Sequence, residues 1–283
     1  MNSQKFFLVV AIGMTVGGCS NSAETAAVME SAPVETVTAP SIPATTASSG
    51  ATPLDLVVIG DSFVGWSEWP DIYTGLASDA LGASVLLDES LAQSTALRRL
   101  DQIQSSESAQ EVIASAEILI VQPMPGWAAG PAFNAYFAGE CGGEDNTECL
   151  ASLAGEYAAY ANEYFDLLLE LVAPGTILRV VSTASWGPEG FYPELREDDP
   201  EVLFLLIDAV VGMMKESESA ARARGILTID VGAAFNGLTY KEPAPDDYLV
   251  ADRLHLDTKG SKIVAQLLDE LGYEPTATGP RSP

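Results

Sequence analysis

The sequence predicts an α/β domain: a five-stranded parallel sheet with helices on both faces. Three observations carry that prediction. Short apolar runs rich in β-branched residues recur five times, and longer stretches of helical periodicity separate them. Strand–helix alternation of this kind closes as a parallel sheet whose crossovers cover both of its faces. A chain of 283 residues, 47% hydrophobic, is long enough for one such domain with a proper core plus a tail.

Leu54 to Ile59 reads as the first strand, stopped by Gly60. Trp69-Pro70-Asp71 starts a helix through about Leu81, with Pro70 suited to a first turn. Ala83 to Leu87 is the second strand. A helical stretch follows from about Thr95 to Ser115, with a break near Ser105-Ser106. Ile118 to Val121 is the third strand, ended by Pro123 and Pro125. Gly126 to Thr147 reads as a loop too long to be a mere connection, and loops of that length are usually functional or disordered. Glu148 to Leu171 is helical, Thr176 to Val181 is the fourth strand, and a second loop runs from Ser182 to Asp199. Glu201 to Arg224 is helical, Ile226 to Val231 is the fifth strand, and a last helix runs from about Lys259 to Leu271.

The organisation this implies is a leader over 1–19, a tether over 20–53, the domain over 54–274 and a short flexible tail over 275–283. Lys5 precedes a brief apolar run, Phe6 to Met14, and the small residues before Cys19 complete a secretory signal. The ending Val16-Gly17-Gly18-Cys19 resembles a bacterial lipobox, which makes Cys19 the lipidation candidate. The implied location is the surface of a bacterial membrane, periplasmic or extracellular, held only by the N-terminal lipid. The tether is rich in Ala, Thr, Ser, Pro and Glu and has no aromatic residue, so it buries no core.

Asp and Glu outnumber Lys and Arg by 40 to 13, a formal net charge of -27. A surface of that sign repels phosphate backbones, which excludes nucleic acid as a partner and disfavours polyanionic substrates. With Cys19 set aside, Cys141 and Cys149 form a close pair, and in an exported protein a disulfide is the favoured reading. A metal site is disfavoured there, because one histidine and no further cysteine leave too few ligands.

Gly60-Asp61-Ser62 directly after the first strand puts a serine on a sharp turn, where a nucleophile is exposed. A serine hydroxyl attacks a carbonyl only when a base takes its proton. His255, the one histidine, is the side chain whose ordinary pKa suits that task. Asp252 stands three residues before it, where one loop can set the geometry of a carboxylate against the imidazole. Ser62, both long loops and His255 all follow strand ends, the edge at which parallel sheets bind ligands.

These residues resemble the two terminal signature blocks of the SGNH/GDSL hydrolase superfamily: Gly60-Asp61-Ser62 near the start and Asp252-x-x-His255 near the end. Leu56 to Ile59, Trp69-Pro70-Asp71 and the run Leu254-His255-Leu256-Asp257-x-Lys259-Gly260 look like that family too. The resemblance covers about Leu54 to Tyr273. It implies a three-layer flavodoxin-like fold, with Ser62 as nucleophile, His255 as base and Asp252 as its orienting partner. It also implies hydrolysis of an ester bond in a small-molecule or glycan substrate, with no metal or organic cofactor.

The middle of the chain departs from the family. No Gly and no Asn occurs from Ala83 to Pro125, so the glycine N–H and the asparagine amide that hold the family's oxyanion are absent. Backbone N–H groups of Ser94 or Thr95 are candidates for the first. Gln122, or Asn134 folding back from the loop, are candidates for the second, and Gln122 as a plain strand cap is the alternative. Phe133, Tyr136, Phe137, Trp186 and Phe191 are candidates to line a pocket. The expectation is an esterase working through an acyl-enzyme. An acyltransferase with the same residues, or a catalytically degenerate binding protein on this fold, are the competing functions.

Overall fold

The computed structural model describes residues 52–92, 100–123, 125–182 and 187–276. The leader, Cys19, nearly all of the tether, Ser94, Thr95 and Trp186 lie outside the described residues. In chain order the elements are β1 (Leu54–Ile59), α1 (Ser62–Gly65), α2 (Trp69–Leu81), β2 (Val85–Asp88), α3 (Leu100–Ser105), α4 (Glu107–Ser115), β3 (Ile118–Val121) and α5 (Pro125–Ala138). They continue with α6 (Glu148–Leu171), β4 (Ile177–Ser182), α7 (Gly187–Phe191), α8 (Leu195–Asp198), α9 (Pro200–Arg222), β5 (Leu227–Asp230), α10 (Val231–Asn236) and α11 (Thr258–Glu270).

The strands form one parallel sheet in the order β2-β1-β3-β4-β5. This is the flavodoxin-like order, and the fold is the α/β class expected from the sequence. Alternation along the strands sorts the core into two layers. Val57, Ile59, Leu119, Val121, Leu178 and Val180 face one cluster, shared with α4, α5, α6 and α9. Leu56, Val58, Ile118, Ile120, Val181 and Ile229 face the other, shared with α2, α10 and α11. Both faces of the central strands are therefore buried, which explains their near-continuous apolar runs.

β4 carries a buried charge. Arg179 is 1% exposed and donates from Nη2 to the carbonyls of Gly272 and Glu274, both at 2.8 Å. Thr276 adds a two-way bond with the Leu178 backbone, so the chain stays pinned to β4 through residue 276.

Local chemistry accounts for several boundaries. The break between α3 and α4 falls at Ser106, whose hydroxyl caps α4 by accepting from the Ala109 N–H. Gln110 reaches back to the carbonyls of Ile103 and Gln104, satisfying the end of α3.

Two sequence readings are corrected. Residues 126–147 are not one long loop: α5 occupies the segment as far as Ala138. Gly126, Gly130 and Pro131 look like loop residues, yet Ala129, Ala132 and Phe133 are buried, and tertiary packing overrides the local preference. The second loop likewise contains the short helices α7 and α8. Beyond α5 the Cys141–Cys149 disulfide is present, with Cα atoms 4.8 Å apart. Asn146, at φ 54°, accepts from the Cys141 N–H and donates to the Tyr136 carbonyl.

Candidate active site

The sheet order reverses at β1, whose neighbours β2 and β3 continue in opposite directions through the chain. The crevice beyond the carboxyl ends of β1 and β3 is thus the switch point where such sheets bind ligands. Ser62 stands there as the first residue of α1, with Asp61 as N-cap accepting from the Phe63 N–H at 2.8 Å. A first-turn N–H has no acceptor within its own helix, so the Ser62 N–H is not taken up by α1.

The turn needs Gly60. A Cβ there would lie 2.2 Å from Val64 Cγ2 and 2.7 Å from Gln122 Oε1. Val64 and Gln122, the latter 5% exposed just after β3, fill that space. The Gln122 backbone N–H donates to the Ile59 carbonyl at 2.8 Å, and its Oε1 accepts from the Asp61 N–H at 3.3 Å. Gln122 therefore ties the turn after β1 to the end of β3. Of the two side-chain oxyanion candidates, Gln122 is the one hydrogen-bonded to the serine's turn. Asn134 is exposed on α5, nine residues after Pro125 and roughly 13 Å along the helix from it.

The histidine arrives from the opposite end of the chain. Residues 248–257 fold back on themselves: Val250 N–H donates to the His255 carbonyl at 2.9 Å and Asp257 N–H to the Tyr248 carbonyl at 3.1 Å. Asp257 then caps α11 by accepting from the Lys259 and Gly260 N–H groups. Inside this turn Asp252 Oδ1 accepts from the Leu254 N–H at 2.8 Å and the His255 N–H at 3.0 Å. Its Oδ2 lies 2.6 Å from His255 Nδ1, and His255 Nε2 lies 2.9 Å from Ser62 Oγ. Ser62, His255 and Asp252 thus form one continuous hydrogen-bonded line, across a sequence separation of 193 residues between Ser62 and His255.

Partial burial pushes the Asp252 carboxyl up. The hydrogen bonds from the His255 ring and the two backbone N–H groups more than offset this, so its pKa is held below the ordinary aspartate value. An ionised Asp252 acceptor selects the imidazole tautomer with its proton on Nδ1. That leaves the Nε2 lone pair facing the serine hydroxyl.

Behind this line is a charge cluster that the sequence reading missed. Arg253, at φ 59°, donates from Nη1 to Asp246 at 2.8 Å and approaches buried Glu189 with Nη2 at 3.4 Å. Glu189 also takes a two-point contact from Arg196, at 2.9 and 2.7 Å. Gly190 packs so tightly that a Cβ would fall 2.3 Å from Leu254 Cδ2. The segment around α7 is therefore clamped to the loop that carries His255. Partners 64 residues apart leave no local signal for this.

Trp66 was missed as well. Its ring centroid is 4.6 Å from that of His255, with the planes tilted by 42°. The signal was available, since Trp66 follows Ser62 by one helical turn. The aromatic residues singled out from the sequence divide. Phe133 is buried against Tyr192, whereas Phe137 and Phe191 remain 40% and 57% exposed. Among the described residues there is no group of three or more His, Cys, Asp or Glu able to hold a metal. No described helix is long and apolar enough to cross a membrane.

No family model and no curated protein matches the chain significantly. Among solved structures it is similar to the crystal structure of a lipase, Lip_vut3, from goat rumen metagenome. The match has a TM-score of 0.58 at 17% identity and covers 78% of this chain and 98% of that one. The likeness is one of fold.

Proposed function

We propose that the chain is a serine hydrolase of the SGNH/GDSL type that cleaves carboxylic esters through an acyl-enzyme. The observation that carries this reading is the unbroken line from Asp252 Oδ2 through both His255 ring nitrogens to Ser62 Oγ, at 2.6 and 2.9 Å. His255 Nε2 takes the Ser62 proton as Oγ bonds to the acyl carbon, and the carbonyl oxygen takes the negative charge. The Ser62 N–H is a donor available to that oxyanion. As the intermediate collapses, the bond to the alcohol oxygen breaks and Nε2 hands its proton to the leaving alcohol. Water then repeats the sequence: His255 accepts its proton, the hydroxide oxygen bonds to the acyl carbon, and the carboxylic acid leaves as Ser62 regains its proton.

Gln122 supports the turn from below, and its amide is the side-chain oxyanion candidate in reach of it. Export with a lipid on Cys19 accords with the Cys141–Cys149 disulfide, since such bonds persist in oxidising compartments.

The test is a fluorophosphonate probe combined with a panel of short esters. The expected result is labelling and turnover in the native protein and neither in Ser62→Ala, with His255→Ala also inactive. Labelling that persists in Ser62→Ala would overturn the assignment. A native protein that neither labels nor turns over would make the chain a binding protein on this fold.

A further inference from the structure

Trp66 and Trp69 stand three residues apart and have opposite fates. Trp69 is 0% exposed and belongs to the core, whereas Trp66 is 64% exposed. A large aromatic ring left mostly in water does little for folding, so its placement calls for another account. Its position is nevertheless fixed. Trp66 closes α1 as the C-cap, and its backbone N–H donates to the carbonyl of Ser62 itself at 2.9 Å. Its ring leans over His255 with centroids 4.6 Å apart.

The chemistry of the proposed hydrolase says what passes beside that ring. The proton on His255 Nε2 goes to the oxygen of the departing alcohol, so that oxygen must come within hydrogen-bond reach of Nε2. The alcohol's carbon skeleton then lies next to whatever flanks the imidazole, and Trp66 flanks it. The acyl chain leaves the same carbon in a different direction and does not have to touch this ring. We infer that Trp66 is a specificity-determining residue for the alcohol half of the ester, and that it favours neutral alcohols bearing a ring with an apolar face. Such a ring stacks on an indole at little entropic cost. The formal charge of -27 disfavours an acidic one. This inference rests on the esterase reading and goes beyond it by separating what reads the alcohol from what reads the acid.

The test compares Trp66→Ala, Trp66→Leu and Trp66→Phe with the native protein on two ester series. One series holds the acyl group as acetyl and varies the alcohol through ethyl, isobutyl, cyclohexylmethyl and benzyl. The other holds ethyl and varies the acyl group through acetyl, butyryl and hexanoyl. All the acetates pass through the same acetyl-Ser62, so differences among them report acylation alone. The expected result is that Trp66→Ala lowers kcat/KM for benzyl acetate about tenfold more than for ethyl acetate. Trp66→Phe should restore most of that difference and Trp66→Leu little of it. The acyl series should show one common ratio of variant to native rate. An equal loss on every ester would make Trp66 a packing support for His255 and overturn the inference, as would a loss that follows acyl length. Either result leaves Ser62-dependent hydrolysis intact in the native protein. Failure of the esterase reading looks different, because the native protein then shows no hydrolysis that Ser62→Ala removes, and the inference falls with it.

Discussion

Two aspartates near the carboxyl edge of the sheet each accept three hydrogen bonds, from different partners. Asp252 accepts from a ring nitrogen and two backbone N–H groups. Asp230, at the end of β5, accepts from the Lys215 ammonium at 2.6 Å, the Tyr240 hydroxyl at 2.5 Å and the Ala233 N–H at 2.8 Å. Burial pushes Asp230 up, and the bonds from Lys215, Tyr240 and Ala233 prevail, so both carboxyls end below the ordinary value. What differs is the partner. Lys215 has its pKa raised, is charged at any working pH and pairs also with Glu218, which Arg222 contacts in turn, so this network closes on ion pairs. His255 instead passes the interaction on to the Ser62 hydroxyl. A perturbed carboxylate marks a site only when what it holds can itself react.

Replacing each aspartate by asparagine tests that contrast, and the largest effect is expected at Asp252. Asparagine keeps an oxygen for the Leu254 and His255 N–H groups but turns an NH₂ toward Nδ1. It thereby favours the tautomer whose Nε2 carries a proton and cannot accept one from Ser62. Turnover should fall by about 10³–10⁴-fold with little change in thermal stability. A loss under about tenfold would mean that Asp252 is a loop support like any other.

Next comes Gln122→Leu, which separates support of the turn from contact with the reaction. Leucine leaves the Asp61 N–H without its acceptor, at a cost of about 1–3 kcal/mol, measurable by denaturant unfolding. A loss of stability with only a modest loss of turnover is expected. A fall in kcat of about 10²–10³-fold with stability and KM unchanged would instead make the Gln122 amide an oxyanion donor.

Asp230→Asn should do the reverse of Asp252→Asn. Asparagine still caps α10 with its oxygen, so the loss falls on the bond from the Tyr240 hydroxyl and on that from Lys215, a side chain 43% exposed to solvent. Screening reduces what that pair contributes, and a cost of about 1–2 kcal/mol is expected, with ester turnover within about twofold of native. A larger loss of activity than of stability would show that the β5 edge is coupled to the histidine loop.

The comparison also shows what a sequence makes legible. Ser62 was readable because the tripeptide follows a strand directly, and Asp252 with His255 because three residues of one turn suffice to join them. The sheet was readable because strands buried on both faces are apolar throughout, as in β3. α5 was not readable, because Gly126, Gly130 and Pro131 carry loop signals that only burial of Ala129 and Phe133 overrides. The clamp on the histidine loop was hidden for a different reason. Glu189, Arg196 and Arg253 are ordinary surface residue types, and only the approach of α7 to the loop turns them into one network. Asp230 was equally silent, since its partners Lys215 and Tyr240 follow no motif.

Acid carries the smallest and most discriminating difference between the two aspartates. Each has a folded-state pKa below the unfolded value of about 3.9. The stabilisation each contributes is therefore fully present above about pH 4 and is lost as pH falls through the depressed folded value. In that window the melting temperature of Asp230→Asn should decline less steeply than that of the native protein, because the variant has one fewer depressed carboxyl to protonate. Asp252→Asn should flatten the decline less, since its side chain is 45% exposed and its bonds are the more screened. Melting curves between about pH 2 and pH 6 measure both slopes. Equal flattening in the two variants would mean that solvent does not distinguish the closed pair from the open line, and exposure would no longer account for why one aspartate stabilises the fold and the other serves the site.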